Sequence, residues 1–318
     1  MDEEVLAVHA PIIIDESIAH VEVHTHQAYA STTFNNSDEI RIAVQNTDLC
    51  VWPGKSSLRV AGRITKPNGT AVTTSTNLVN NGISFLFEEV RYELNGVEID
   101  RCKTPGITTL LKGYASLKPS QIYSLENAGF SHPRDTGVQT DASGYFDVNI
   151  PLKLMLGFCE DYSKIILNAK HELILTRANS DNDAVFGEND EAFKITLTRV
   201  DWMVPYVRAS DSRKIPLYNA IAMDKTVSIG FRAWELFVYP TLPQTGKHIW
   251  TVKTSSQLEK PRYVMLAFQT DRRNNALKNA SHFDHCKYTQ CDTFLKLSEL
   301  SLRSTQFGYR SQPVLHSL

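Results

Sequence analysis

Apolar and polar residues alternate in short runs broken by turn residues, the pattern of antiparallel strands with one buried face. Ile40-Arg41-Ile42-Ala43-Val44 alternates, and so does Leu58-Arg59-Val60-Ala61-Gly62-Arg63-Ile64 before the turn Pro67-Asn68-Gly69. The run 83–94 largely alternates and leads into Asn95-Gly96, a pair that accepts the positive φ angles of a type I′ turn, so a tight hairpin returning over 97–100 is predicted. Further strands are predicted at 145–150, 171–176 and 193–204, the last ending at Pro205, which cannot donate to a ladder. Helical periodicity is confined to short turns at 107–117 and 152–158.

Residues 179–191, rich in Asn, Asp and Glu, predict a solvated loop, and 205–216, with Pro205, Ser210, Asp211, Ser212 and Pro216, a domain connection. A second set of strands follows at 234–239 (stopping at Pro240), 248–253 and 262–268, the last apolar enough to be buried. Residues 292–318 show no alternation and predict no element. The fold class the pattern predicts is therefore all-β, an antiparallel sandwich or barrel, in two units. An N-terminal unit of roughly 170 residues has room for eight strands, whereas the roughly 110 residues after the connection fall short, so the second sandwich is expected to be incomplete.

Composition narrows the function. Hydrophobic residues at 42% and charged residues at 21% are ordinary for a chain that folds. A net charge of -2 with no Lys/Arg block argues against strong direct binding of nucleic acid. Five scattered cysteines (Cys50, Cys102, Cys159, Cys286, Cys291) predict reduced thiols in an intracellular setting rather than a disulfide framework. The start Met1-Asp2-Glu3-Glu4 shows no signal peptide and no apolar run is long enough for a membrane span, so Asn68-Gly69-Thr70 and Asn279-Ala280-Ser281 are expected to be unmodified.

Candidate chemistry is sparse. Gly54-Lys55-Ser56-Ser57 resembles the end of a phosphate loop, but Leu49 replaces the first glycine and a strand follows where a helix N-terminus is needed. His171-Glu172 opens like a zinc-protease motif, with Leu175 in place of the second histidine. His20, His24 and His26, and separately His282, His285, Cys286 and Cys291, are loose clusters that supply no persuasive ligand set. Asp181 and Asp183 lie in the acidic loop, but Val185 and Phe186 stand where a calcium loop needs an oxygen and a glycine. Glu88 and Glu89 are adjacent in a strand and point to opposite faces. No catalytic, cofactor-binding or metal residue is predicted. Of four candidate interface tryptophans, Trp52, Trp202, Trp234 and Trp250, Trp202 and Trp234 are expected in the core.

Residues 80–100, from Asn80-Asn81-Gly82 through Phe85-Leu86-Phe87-Glu88-Glu89-Val90 to Asn95-Gly96-Val97, resemble the first jelly roll of the major capsid proteins of Polinton-like and adintovirus-like DNA viruses. Pro105-Gly106-Ile107-Thr108-Thr109-Leu110-Leu111, Trp234-Glu235-Leu236-Phe237 and Pro261-Arg262-Tyr263-Val264 are similar to the same proteins, and the resemblance covers roughly residues 30–290. It implies an all-β fold of antiparallel jelly-roll β-sandwiches, two of them stacked as a double jelly roll with the second incomplete, and a non-enzymatic subunit of an icosahedral virion around double-stranded DNA, assembled inside the host cell. Its partners would be itself, as a homotrimer with a pseudo-hexagonal outline among neighbouring capsomers, and a minor (penton) capsid protein. On it the chain divides into an N-terminal arm (1–29), a first jelly roll (30–205), a partial second jelly roll (206–291) and a divergent tail (292–318). The closing strands of the family pattern are not recognisable beyond Cys291, as expected of a truncated endogenous viral copy. A jelly-roll module binding carbohydrate or protein, and a cupin-like metalloenzyme built on His20, His24 and His26, are the competing readings.

Overall fold

The computed structural model describes residues 17–29, 33–45, 50–73, 75–131, 139–187, 191–223, 228–242, 245, 248–252, 263–286, 290–291, 305–306 and 314–317. Strands β1 (Ile18–Gln27), β2 (Glu39–Gln45), β3 (Cys50–Val51), β4 (Ser57–Thr65), β5 (Thr76–Leu78), β6 (Phe87–Leu94), β7 (Val97–Lys103), β8 (Tyr145–Pro151), β9 (Lys170–Arg177), β10 (Val185–Gly187) and β11 (Lys194–Ala209) form an antiparallel sandwich. One sheet runs β1-β11-β4-β8, with β3 also pairing β11; the other runs β2-β9-β6-β7, and β5 and β10 make a separate ribbon. Among the described residues five α-helices accompany them: α1 (Gly82–Phe85), α2 (Pro105–Ser116), α3 (Pro119–Ser124), α4 (Gly157–Asp161) and α5 (Asp211–Ala222). Short strands β12 (Tyr263–Leu266), β13 (Gln290–Cys291), β14 (Thr305–Gln306) and β15 (Val314–Ser317) pair as β12-β15 and β13-β14.

Alternation in sequence becomes inside and outside in space: β2, β4 and β8 bury every second residue. Ile40, Ile42, Leu58, Val60, Tyr92, Leu173, Leu175 and Trp202 belong to one core cluster. Across the sheets, the edge of Tyr92 meets Trp202 at 5.6 Å and 87°, a contact worth about 0.5–1.5 kcal/mol beyond simple burial. Strand β9 is buried on both faces. Ile174, on its outer side, is paired in register with Arg41 on β2 and Arg91 on β6. Glu39 bridges both guanidiniums, at 2.7 Å and 3.0 Å, so that their aliphatic stems roof an isoleucine with 0% exposure. The hairpin at Asn95-Gly96 forms with φ values of 50° and 77° and closes on the Leu94–Val97 pair.

Several elements differ from the sequence expectation. Residues 83–85 belong to α1, not to a strand: Asn81, at φ 56°, accepts from Ser84 Oγ (2.6 Å) and donates through Nδ2 to Thr109 Oγ1 (2.6 Å), folding the chain into a turn. A short apolar run cannot distinguish these two outcomes by period. The expected loop 179–191 contains β10, whose Val185 is fully buried. The strand expected to end at Pro205 runs on to Ala209. Pro205 O accepts from Trp52 N (3.0 Å), so its ring nitrogen faces the same way, between the end of the β4 ladder at Met203 and the start of the β3 ladder at Tyr206. No partner there needs the missing N–H, and toward β1 the Pro205–Val23 pair asks for none.

The N-terminal stretch expected as an arm carries β1, an edge strand of the first sheet. The expected connection 205–216 is the end of β11 followed by α5, entered as Arg213 N and Lys214 N both donate to Ser210 O. Residues 234–239 and 248–252 form no strand, because alternation makes a ladder only where a neighbour supplies the other half; Lys253 and Arg262 lie outside the described residues. Only Tyr263–Leu266 of the run 262–268 is a named strand, half-exposed rather than buried, and the tail contributes β14 and β15.

Arg177, at 1% exposure, closes the end of β9. It donates to Leu86 O and, at 2.9 Å, to Asp181 Oδ1, and its guanidinium lies 6.0 Å from the Phe87 ring. Replacing it with leucine strands the half-buried Asp181 carboxylate and the Leu86 carbonyl, so Arg177→Leu is expected to destabilise the fold by about 3–5 kcal/mol in urea denaturation. The double variant Arg177→Leu/Asp181→Leu is expected to recover part of that loss, because no orphaned charge remains.

Candidate functional site

The sequence candidates for chemistry are dispersed. Pro53–Lys55 is a 3-10 turn leading into β4, closed by Ser56 Oγ donating to Pro53 O at 2.7 Å. Asp181 is engaged by Arg177, and Asp183 accepts from Asn274 N at 2.5 Å. Glu89 pairs with Arg91 at 3.1 Å while Glu88 is exposed. His20, His24 and His26 share one face of β1; His285 and Cys286 are exposed far along the chain, and the side chain of Cys291 lies outside the description. Among the described residues, no three His, Cys, Asp or Glu side chains converge as a metal cage. Cys50, Cys102 and Cys159 are buried free thiols. Burial, then the Asp100 charge, pushes Cys102 up to about 12, so it stays a neutral thiol rather than a nucleophile.

What the fold does assemble is a set of polar clamps that fix the later part of the chain to the sandwich. At α4, Arg232 N and Nε both donate to Asp161 Oδ2 at 2.8 Å, and its Nη2 donates to Oδ1 at 2.5 Å. The Arg232 hydrogen bonds hold the Asp161 carboxyl below its usual range despite its burial. The neighbouring Phe231 ring meets Phe158 at 5.4 Å, and the Arg232 carbonyl occupies the space a Cβ would need at Gly157. Lys112 of α2, buried, donates to Glu160 Oε2 (2.7 Å) and Lys153 O (3.0 Å) and lies 5.6 Å from the ring of Trp234. Trp234 is thus half-buried over a lysine rather than in the core, whereas Trp202 is fully buried. Trp52 lies 5.7 Å from Lys55 Nζ, and Trp250 packs against Tyr239.

A second clamp uses residues 274–283. Gly187 N donates to Ala276 O (2.9 Å), Tyr114 OH to Ser281 O (3.1 Å), and Ala280 and Ser281 are buried against the first sandwich. Between this segment and the β5–β10 ribbon lies a cleft of about 350 Å³ lined by Thr76, Asn182, Val185, Glu191, Phe193 and Leu277. Its carboxylate is already committed: Glu191 accepts from Thr76, Lys66 and Thr73, which hold it down to about 2. The clamp residues Lys112, Asp161 and Arg232 escaped the sequence reading; the usable signal for Lys112 was a lone cation within Leu110-Leu111-Lys112-Gly113.

A third polar group lies inside the core. His171 has 0% exposure; its Nδ1 is 2.7 Å from Tyr92 OH, and its Nε2 has no protein partner. Burial lowers its pKa from the ordinary 6.5 to about 4. The zinc-motif opening His171-Glu172 is therefore split by the strand: His171 faces the core, and Glu172 faces outward to Tyr29 OH (2.8 Å), Arg41 (3.4 Å) and Lys170 (3.1 Å).

Residues 76–305 match the double jelly roll-like domain family, and the chain belongs to it. It matches no curated protein sequence. Among solved structures it is similar to PBCV-1 VP54 as fitted into the virophage Sputnik, with 12% identity over 65% of this chain and 46% of that one and a TM-score of 0.42. It is likewise similar to the Faustovirus major capsid protein (8%, covering 70% and 60%, TM-score 0.43) and the mavirus major capsid protein (14%, covering 62% and 48%, TM-score 0.36). The chain spans about half the length of these structures.

The buried imidazole gives a pH dependence with a definite sign. Because the folded state holds His171 neutral down to about 4 while the unfolded chain protonates it near 6.5, its contribution is complete above 6.5 and is lost as pH falls toward 4. Urea denaturation across this range is expected to show wild type losing about 3 kcal/mol more than His171→Gln, which keeps a polar partner for Tyr92 but does not titrate.

Proposed function

We propose that this chain is a structural, non-enzymatic subunit of an icosahedral viral capsid, of the Polinton and adintovirus type, that self-associates through trimeric capsomers in the virion. Support comes from membership of the double jelly roll-like domain family together with the resemblance carried by residues 80–100. The observation that carries self-association is the distribution of exposed apolar side chains. Ile215 (67%), Met223 (66%) and Ile249 (78%) stand out among exposed residues that include Tyr218, Phe237, Val238 and Val252, all after the first sandwich. Large apolar side chains left exposed supply contacts for association when copies of the chain meet. A shell protein gains strength from modest contacts repeated by symmetry, and this chain offers paired sheets and exposed apolar side chains for them. In this reading residues 30–205, edged by β1 from the N-terminal stretch, are the first jelly roll and 206–291 a partial second one stacked on it, and a minor (penton) capsid protein and neighbouring capsomers are the further partners. A ligand-binding module is the weaker reading, since the cleft's carboxylate is saturated from within.

Light scattering and negative-stain microscopy of the purified chain are expected to show trimers or larger symmetric assemblies whose population rises with concentration. The exposed positions Phe237 and Ile249 can take aspartate without disturbing the core, and Phe237→Asp/Ile249→Asp is expected to shift the distribution to monomer at unchanged thermal stability. A wild-type chain that stays monomeric at high concentration overturns the proposal.

A further inference from the structure

Three asparagines precede a glycine, Asn68, Asn81 and Asn95, and the fold treats each differently. An asparagine in that position is able to react with its own chain: with no Cβ on the next residue, the backbone nitrogen of the glycine has room to reach the side-chain carbonyl carbon, Cγ. At Asn68, in the turn after β4, the side chain is curled back over that peptide. Thr70 N and Thr70 Oγ1 both donate to Asn68 Oδ1, at 3.1 Å and 2.7 Å. Pro67, Asn68, Gly69 and Thr70 are all exposed, and a Cβ built on Gly69 would meet nothing within 4 Å.

The other two pairs have the glycine without the turn. The Asn95 side chain is anchored on β9 rather than over Gly96: its Oδ1 accepts from Lys170 N at 2.8 Å, while Asn95 N donates to Lys170 O at 2.8 Å. Asn81 is 0% exposed, and its Oδ1 and Nδ2 are held by Ser84 and Thr109. Asn279 has the turn without the glycine. Its Oδ1 accepts from Ser281 N (2.9 Å) and Ser281 Oγ (2.6 Å), but the residue that follows is Ala280, buried with Ser281 against the sandwich. Among the described residues, curled carbonyl, following glycine and access to water coincide at Asn68.

We propose that Asn68-Gly69 is a self-modifying site, at which the folded chain converts Asn68 to aspartate and isoaspartate without an enzyme. Gly69 N gives up its proton to hydroxide and attacks Asn68 Cγ. The tetrahedral oxyanion forms on Oδ1, where the two Thr70 donors already point and stabilise it. The bond from Cγ to Nδ2 then breaks, and ammonia leaves with a proton from water. A second water opens the resulting succinimide at either carbonyl, so the sum is amide plus water to carboxylic acid plus ammonia, with no oxidation or reduction. Before the attack the Gly69 N–H must leave Lys66 O (2.9 Å), one bond in an exposed turn whose local opening is cheap. The inference concerns the single chain and stands whether or not the chain builds a shell.

Incubating the full chain in mildly alkaline water enriched in heavy oxygen, followed by peptide mapping with mass spectrometry, measures conversion site by site, because each new carboxyl carries the label. A parallel sample in urea supplies the rate of each site without the fold. Divided by that reference, the folded rate at Asn68 is expected to exceed those at Asn81, Asn95 and Asn279 by about tenfold or more. Thr70→Ala removes the hydroxyl donor to Oδ1 and leaves the turn exposed; it is expected to lower the Asn68 ratio by about two- to tenfold, and Thr70→Ser to keep the wild-type value. An Asn68 ratio no higher than that of Asn95 overturns the proposal. So does a Thr70→Ala chain that converts at the wild-type ratio or faster, the result that exposure alone would give.

Discussion

The structure depends on one strand being able to serve two neighbours at once. β11 is sixteen residues long and pairs with β1 along one side and with β4 and then β3 along the other. A strand of that length would ordinarily be interrupted by its proline; here Pro205 falls where the ladder passes from β4 to β3, so continuity survives. Continuity matters because Trp202, Val204 and Tyr206 are among the residues by which the first sheet fills the middle of the sandwich. Trp202 reaches Tyr92 of the opposite sheet, and Tyr92 in turn packs against Phe158 at 5.0 Å, the residue on which Phe231 closes. Sheet pairing, core and the attachment of the later chain are thus one connected contact path.

Beyond that core the molecule relies on buried or half-buried polar groups, each tying a loop to a strand. Asp100 of β7 accepts from Phe158 N at 2.9 Å and so holds the start of α4; burial lifts its carboxyl above the usual range, against these hydrogen bonds. Lys112, Asp161 and Arg232 carry the same logic outward. Such groups stabilise only when fully partnered, and losing one partner leaves a desolvated charge. They therefore specify where each segment docks more than they add to total stability.

The legible part of the fold is the part in which one face meets a core and the other meets water. β2, β4 and β8 show it in residues 40–44, 58–64 and 145–150, and Asn95-Gly96 declares its hairpin because only such residues take φ above zero at both turn positions. The pattern fails where a third party decides. Ile83-Ser84-Phe85 is apolar enough for a strand, but the Asn81 network and the Phe85–Gly106 contact with α2 make it a helical turn. Residues 234–239 alternate, yet Arg232 and Trp234 are held by α4 and α2 rather than by a neighbouring strand. The polar clamps were unreadable for the same reason: Asp161 and Arg232 are 71 residues apart, and no local period links them.

A sandwich with open sides has to prevent its edges from pairing at random, and three of the four edges here, β7, β2 and β1, do so differently. On β7, α4 lies against the strand, anchored through Asp100, so an incoming strand meets a helix. On β2, part of the edge is used internally, with Arg41 O accepting from Tyr29 N at 3.2 Å, and the outer surface is laced by Glu39, Arg41, Arg91 and Glu172. On β1 the device is an inward-pointing charged face, Glu22 among three histidines, which leaves the ladder intact but makes the strand a poor template for an apolar partner.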